Sequence, residues 1–168
     1  MTAPTTGSAE ALAPDRLRGV LGRFATGVTV LTAGREAPRG MTANSFTSVA
    51  LDPPLVLVCV ARTAQLHGAV LEERRFAVSV LGAGQVRLAR HFADRRRPRA
   101  GREFDAVDTF RGRFTGAPLL CGALAWLECS LAAVHDGGDH SIVLGSVLDA
   151  AHGTQDEPLL YFGGDFRL

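Results

Sequence analysis

The sequence contains no lysine, and all 18 of its basic residues are arginines. Without lysine, the chain has no Schiff-base lysine, no lysine general base and no phosphate-loop lysine. The arginines are nearly balanced by 17 acidic residues, which leaves a formal net charge of +1. Such a chain lacks the strong positive field that holds nucleic acid or an anionic membrane surface. We therefore expect small molecules or proteins as partners, with no nucleic acid and no membrane.

Cysteine is also scarce. Cys59, Cys121 and Cys129 are odd in number and form no CxxC pair, so the pattern indicates neither a disulfide framework nor a zinc site. The turn Asp136–Asp139 is flanked by histidines, but Asp-Gly-Gly-Asp is more typical of a hairpin turn than of a metal site. We predict no metal and a reducing, cytoplasmic location.

Long apolar runs are missing as well. The run Leu55–Ala61 ends at Arg62, far short of the roughly 20 residues that cross a bilayer. The segment Met1–Pro14 has neither a basic start nor an apolar stretch, so it is not typical of a signal peptide. We predict a disordered tail over residues 1–13 and one domain over residues 14–168, which is long enough to bury a core.

Hydrophobic periodicity predicts many strands and few, short helices. One helix is expected at about 14–25, and shorter ones near 66–70 and 86–92. Strands are expected at 28–32, 39–49, 55–60, 76–81, 123–134, 141–150 and 161–162. Strand 55–60 is apolar at every position, which is typical of a strand deep in a sheet. This order favours a mainly β, antiparallel barrel, closed or split, whose mouth holds one ligand.

A cluster of short polar side chains falls in the predicted strand 39–49. Thr42, Asn44, Thr47 and Ser48 alternate with small residues that would let a planar ligand approach closely. A flavin ring needs hydrogen-bond donors near its N1 and O2 atoms and acceptors near N3, which such a strand can provide. An ordinary polar edge strand would have the same composition, so both interpretations stay open.

Two further sequence features each have two possible interpretations. His140 lies in a Gly-Gly-Asp-His turn, where it would either bind a ligand amide and move a proton or simply face solvent. The run 95–99, four arginines and a proline, is typical of a solvated surface loop, and its alternative is a contact with a nucleotide phosphate.

Several ordered motifs together carry a family resemblance from about residue 15 to the C-terminus. They are Phe24–Val28, Gly40–Val49, Asp52–Val56, Gly138–His140 followed by Gly145, and Pro158–Phe162. With these motifs the chain resembles the short-chain flavin reductases, the reductase components of two-component flavin monooxygenases.

This resemblance implies an FMN-binding split β-barrel, antiparallel and Greek-key-like, that forms a homodimer. It implies hydride transfer from NADH or NADPH to FMN or FAD, and diffusion of the reduced flavin to a separate monooxygenase. Two alternatives remain: a flavin- or haem-binding split barrel without turnover, and a self-contained flavin oxidase or oxygenase.

The resemblance also implies roles for individual residues. His140 would face the nicotinamide as the catalytic residue. The remaining candidates would bind cofactor: Thr42, Ala43, Asn44, Ser45, Phe46, Thr47 and Ser48 along the flavin, Ala61, Arg62 and Thr63 at its phosphate, Gln85, Arg90 and Phe92 at the phosphate or adenylate end, and Tyr161 and Phe166 on the nicotinamide side. Ala64 and Gln65 stand where many relatives have small hydroxyl residues, which leaves the number of phosphate contacts open.

Overall fold

The computed structural model describes residues 13–97 and 102–167. The predicted tail, apart from Ala13, lies outside the described residues, as do Pro98 and Arg99 of the arginine-rich run. The helices are α1 (Pro14–Leu21), α2 (Gln65–Glu73) and α3 (Val86–Ala93), with short 3-10 turns at Ala83–Gln85 and Arg102–Phe104. The strands are β1 (Thr26–Gly27), β2 (Thr29–Ala33), β3 (Arg39–Ala43), β4 (Thr47–Leu51), β5 (Pro54–Ala61), β6 (Arg75–Val80), β7 (Thr109–Arg111), β8 (Pro118–Leu120), β9 (Ala125–Gly137), β10 (His140–His152), β11 (Leu160–Phe162) and β12 (Asp165–Arg167).

The main sheet has seven strands in the order β3-β2-β6-β9-β10-β5-β4, and every neighbouring pair is antiparallel. Its two edges, β3 and β4, are joined by only three residues, 44–46. In a flat sheet seven strands wide the edges would lie about 29 Å apart. Four steps of extended chain reach about 14 Å at most. The sheet must therefore curl until its edges approach, which makes it a split barrel.

Two hydrophobic clusters stabilise this arrangement. The first fills the barrel and includes Leu31, Val58 and Phe76, all at most 1% exposed. The second packs α3 and the C-terminal strands against the outside of β2, through residues such as Val30 and Phe92. Burial of this apolar area is the main favourable term in folding. Because α3 packs against β3, it lies beside the polar strand of the predicted site.

Three of the predicted elements differ from the structure. The helix expected at 14–25 ends at Leu21, and none of its residues is buried against the part of the chain that the structure describes. The strand expected at 39–49 is broken at 44–46 and becomes the two opposite edges of the sheet. The strand β5 lies next to an edge, where Val56, Val58 and Val60 face the core and alternate residues are half-buried.

The other predicted strands are present with shifted ends, and β9 and β10 form the long hairpin expected for the last third of the chain. In the part of the chain that the structure describes, no helix is both long and apolar enough to cross a bilayer.

Candidate active site

A cavity of about 470 Å³ opens where the chain passes from β3 to β4. The ends of β3 and β5, the start of α2, the end of α3 and the first residue of β10 surround it. Its lining residues are Met41, Thr42, Ala43, Asn44, Ser45, Cys59, Ala61, Thr63, Ala64, Gln65, Leu66, Phe92, Ala93, Arg95, Arg97, Glu103 and His140. Eight of the sequence-predicted site residues are among them, although they come from four separate parts of the chain. The volume is in the range of small-molecule and cofactor sites.

Hydroxyl groups along one wall hold the backbone in place. Thr42 Oγ1 donates to the carbonyl of Ala89 at 2.7 Å, which ties β3 to α3. Ser45 Oγ accepts from Cys59 N at 3.0 Å and donates to Cys59 O at 3.2 Å. Ser45 thus continues the pairing of β5 at the point where β4 has not yet begun. Asn44 lies between these two anchors with its side chain exposed.

The opposite wall is the turn from β5 into α2. The N–H of Ala64 donates to the carbonyl of Ala61 at 2.9 Å, and α2 begins at Gln65. No side chain caps this helix start, so its first N–H groups stay available to an anion. Arg62 does not line the cavity: its Nε donates to His140 O at 3.4 Å and its Nη2 lies 3.1 Å from Asp136 Oδ2. Its role at a flavin phosphate remains a prediction.

His140 begins β10 at the rim of the cavity, with 43% of its side chain exposed. Its Nδ1 lies 2.7 Å from Asp139 Oδ1. The hydrogen bond from His140 lowers the pKa of Asp139, and the positive charge of a protonated His140 lowers it further. The N–H of Gly138 and then Arg62 lower the pKa of Asp136 in the same turn. Ionised carboxylates therefore hold this turn and the His140 ring.

Besides Arg62, seven predicted residues do not line the cavity. Phe46 packs against the barrel core, and Thr47 and Ser48 are exposed on β4. Gln85 accepts from Gly82 N at 3.1 Å and donates to Cys121 O at 3.0 Å, which fixes the start of α3. Their contact with a flavin stays a prediction.

The remaining three of these seven lie near the C-terminus or face it. Arg90 Nη2 is 3.8 Å from Asp165 Oδ1. Tyr161 and Phe166 stack edge to face with ring centroids 5.5 Å apart and pack against the cluster around α3. Their proposed nicotinamide contacts also stay predictions.

Several residues that line the cavity were not assigned to the site from the sequence. Met41, Cys59 and Leu66 read as ordinary strand or helix residues, and Glu103 lies in a segment without periodicity. Of the arginine-rich run, Arg95 lines the cavity, Arg96 pairs with Asp94 at 3.3 Å, and Arg97 pairs with Glu103 at 2.9 Å.

The three cysteines have different surroundings, and all are free. Cys59 is half-buried and lines the cavity, whereas Cys121 is exposed. Burial raises the pKa of the Cys129 thiol to about 12, with a smaller contribution from Glu128. Cys129 is therefore an unreactive core residue.

The donor set of the cavity fits a flavin. Small side chains, Ala43, Ala61 and Ala64, leave room for a flat ring between polar groups. The uncapped start of α2 and Thr63 suit a phosphate, and Arg95 adds a positive charge on the other side. In the described part of the chain, no three His, Cys, Asp or Glu residues lie close enough together to hold a metal ion.

Known proteins are similar to this chain in sequence and in fold. A family model described as "Flavin reductase like domain" matches residues 21–168. The chain belongs to the flavin reductase-like family. The NADH-dependent FAD reductase of Streptomyces globisporus is 53% identical over 152 residues, which cover 90% of this chain and 84% of that protein. HsaB of Rhodococcus jostii, the reductase subunit of a flavin-dependent monooxygenase, is 37% identical over 160 residues, covering 95% and 80%.

Solved structures agree with these relatives. BorF, the flavin reductase component of a bacterial two-component tryptophan halogenase, superposes with a TM-score of 0.88 at 52% identity and covers 92% of this chain and 97% of that one. The Streptomyces globisporus NADH:FAD oxidoreductase SgcE6, in complex with NAD and FAD fragments, gives 0.87 at 50% identity, covering 95% and 96%. The predicted family, the split-barrel fold and the enzyme class, a flavin reductase, are thereby confirmed.

Proposed function

We propose that this flavin reductase-like protein uses NADH to reduce FAD, and FMN less preferentially, and releases the reduced flavin to a separate flavin-dependent oxygenase or halogenase. The observation that carries the proposal is the single cavity that joins the polar end of β3, the start of α2 and His140. The preferences for FAD and NADH are supported by the names of the Streptomyces globisporus relatives, an NADH-dependent FAD reductase and the NADH:FAD oxidoreductase SgcE6.

The chain contributes binding and orientation. When bound, the flavin supplies the hydride-accepting chemistry. Backbone groups of Thr42–Ser45 and the Asn44 amide would orient the ring, and Thr63 with the start of α2 would hold the phosphate. The Thr42 and Ser45 hydroxyls are already used to fix this wall, which leaves it preorganised. Preorganised donors and correct positioning are enough to accelerate a transfer between two held rings.

His140 would receive the nicotinamide. Because the ionised Asp139 accepts a hydrogen bond from Nδ1 of His140, the neutral ring carries its hydrogen on Nδ1 and leaves Nε2 as an acceptor. An acceptor at the cavity rim is suited to the carboxamide N–H₂ of a nicotinamide. His140 therefore orients the hydride donor, and no protein nucleophile is required.

We also propose that the domain spans residues 14–168, works in the cytoplasm as three free thiols suggest, and forms a homodimer. Support for the dimer comes from the outer face of β5 and β10. Leu55, Leu57, Ile142 and Leu144 lie in register on this face and are only half-buried, and the face continues to the cavity at Cys59. A second copy of the chain would cover this apolar strip.

The dimer is tested by sedimentation of the wild type, Leu144→Arg and the control Leu71→Arg, which places a charge on an exposed leucine of α2. We expect a mass of two chains for the wild type and the control, and of one chain for Leu144→Arg. A wild type that sediments as a single chain would refute the dimer.

The diffusion step is tested by reducing FAD with NADH anaerobically and filtering the mixture through a membrane that retains the protein. We expect reduced FAD in the filtrate in amounts that exceed the protein. Flavin retained with the protein and no NADH oxidation would favour a binding protein without turnover. Retained flavin with NADH oxidation and an oxidised organic product would favour a self-contained oxygenase.

A further inference from the structure

Two charged residues, the partly buried Arg97 and the buried Glu103, lie at the cavity. Arg97 belongs to the run 95–99, for which the sequence left a phosphate contact open, and the sequence assigned no role to Glu103. Glu103 has 2% of its side chain exposed and Arg97 has 17%, and both line the cavity. Arg97 Nε donates to Glu103 Oε2 at 2.9 Å, and Arg97 Nη1 donates to the carbonyl of Asp94 at 2.8 Å. Arg97 is thus held by the Glu103 carboxylate and by the main chain at Asp94.

The pair holds the backbone of one residue, Gly40. The N–H of Gly40 donates to Glu103 Oε2 at 3.3 Å, and Arg97 Nη2 donates to the carbonyl of Gly40. Gly40 belongs to β3, which is an edge of the main sheet and pairs only with β2. An edge strand presents N–H and C=O groups that no neighbouring strand satisfies. The Arg97–Glu103 pair takes the place of that missing neighbour.

Gly40 also packs closely against the rings of Phe92 and Phe104. A Cβ atom on this residue would lie 2.6 Å from Cε1 of Phe92 and 3.1 Å from Phe104, so only glycine lets these rings approach. The two rings stack against each other with centroids 5.1 Å apart. The first part of β3 is therefore fixed on two sides, and the next residues, Met41–Ser45, are the cavity wall.

The pair is an unusual choice if it serves stability alone. Removing two charges from water is costly, and apolar residues of similar volume in such places are often neutral or stabilising. Among the described residues no hydrogen-bond donor reaches Glu103 Oε1, and Arg39 Nη1 lies 3.8 Å from it. The pair makes directional hydrogen bonds to both the N–H and the C=O of Gly40. Apolar side chains could not make these bonds and so could not fix this backbone in the same way.

We propose that Arg97 and Glu103 are positioning residues for the flavin: they clamp Gly40 and thereby set the position of the Met41–Ser45 wall against which the flavin binds. The clamp acts through β3 and does not contact the nicotinamide side of the cavity at His140. This inference rests on the proposed function, because it takes the cavity as the flavin site.

The test compares flavin binding and NADH kinetics in three variants. Glu103→Gln keeps the shape of the side chain and removes its charge, and Arg97→Lys keeps the charge and removes the fork of donors. The double variant Arg97→Met with Glu103→Leu replaces the pair by apolar residues of similar volume. The control is Arg102→Ala, which breaks an exposed ion pair with Asp105 in the same segment, at 3.6 Å.

We expect the dissociation constant for FAD to rise about tenfold in Glu103→Gln and in the double variant, equivalent to about 1.4 kcal/mol of binding free energy. Arg97→Lys should show a smaller rise. The KM for NADH at saturating FAD should stay near the wild-type value in all three variants. Arg102→Ala should change the FAD constant by less than about twofold.

Unchanged FAD binding in Glu103→Gln and the double variant would overturn the inference, as would an equal rise in the KM for NADH, which indicates a general distortion. If the double variant unfolds, the isosteric Glu103→Gln decides alone. A wild-type protein that neither binds FAD nor oxidises NADH would instead refute the proposed function, so the two failures are distinguishable.

Discussion

His140 is the residue on which the nicotinamide assignment depends. We predict that His140→Ala raises the KM for NADH about fivefold or lowers turnover comparably, because one hydrogen bond of about 1 kcal/mol to the bound substrate is lost. The dissociation constant for FAD should change little, since the flavin wall lies on other elements. Steady-state kinetics and a flavin titration measure the two effects separately.

A matched control is His135→Ala, which removes an exposed histidine of β9 that does not line the cavity. It should leave both constants unchanged. If His140→Ala weakens FAD and NADH equally, His140 belongs to the flavin site.

The ionisation of Asp139 sets the pH dependence of its hydrogen bond with His140. Its pKa is lowered by the His140 hydrogen bond, so the contact is present above the ordinary carboxyl pKa of 3.8 and is lost as the pH falls through the lowered value. We predict an NMR titration midpoint below 3.8 for Asp139 that moves up towards 3.8 in His140→Ala.

Asp136 is the internal reference for that titration, because its pKa is lowered first by the N–H of Gly138 and then by Arg62. Its midpoint should stay low in His140→Ala. An Asp139 midpoint that does not move would show that His140 is not its main partner.

At the residue scale, sequence reasoning found the groups whose chemistry is visible in a short motif. Asn44 and Ser45 in the polar strand and His140 in its turn all reach the cavity. Glu103 was missed because burial of this acidic residue depends on a contact with Gly40, which is 63 positions away, and on Arg97, which lies in a segment without a periodic signal.

At the scale of elements, Ser45 links the segment that follows β3 to Cys59 of β5. Ser45→Ala removes the acceptor of the Cys59 N–H, and an unsatisfied polar group of this kind costs about 1–3 kcal/mol. We predict that the free energy of unfolding falls by this amount and that FAD binds more weakly, because the link at 44–46 loses its anchor. Denaturant unfolding and flavin titration measure both.

Thr154→Ala, which removes an exposed hydroxyl of a loop, is the control and should unfold like the wild type. If Ser45→Ala unfolds like this control, the Ser45 contacts do not stabilise the link.

The elements themselves were predictable where local pattern and tertiary position agree. The β9–β10 hairpin followed from two long apolar runs around Asp-Gly-Gly-Asp. The break between β3 and β4 was not predictable, because residues 39–49 are strand-like throughout and only barrel closure forces the chain to change edges at 44–46. Helix α1 also ends earlier than its pattern predicts, and none of its residues is buried against the described part of the chain.

At the scale of the whole molecule, the composition limits the classes of reaction that are possible, and the fold brings the site residues together. A chain without lysine and with a net charge of +1 is suited to a reaction in which a bound cofactor supplies the chemistry. The split barrel then brings one sheet edge, β3, the end of β5 and two helix ends around one cavity. The family resemblance supplied the architecture that local patterns left open between a closed and a split barrel.

The central claim is that this cavity supports reduction of flavin by NADH. The most direct measurement follows the loss of NADH absorbance by the purified protein, first without flavin and then with micromolar FAD, FMN or riboflavin, and repeats the series with NADPH. We predict oxidation that requires added flavin, is fastest with FAD and prefers NADH. Absence of flavin-dependent oxidation with either nicotinamide, or oxidation only when flavin is withheld, would contradict the claim.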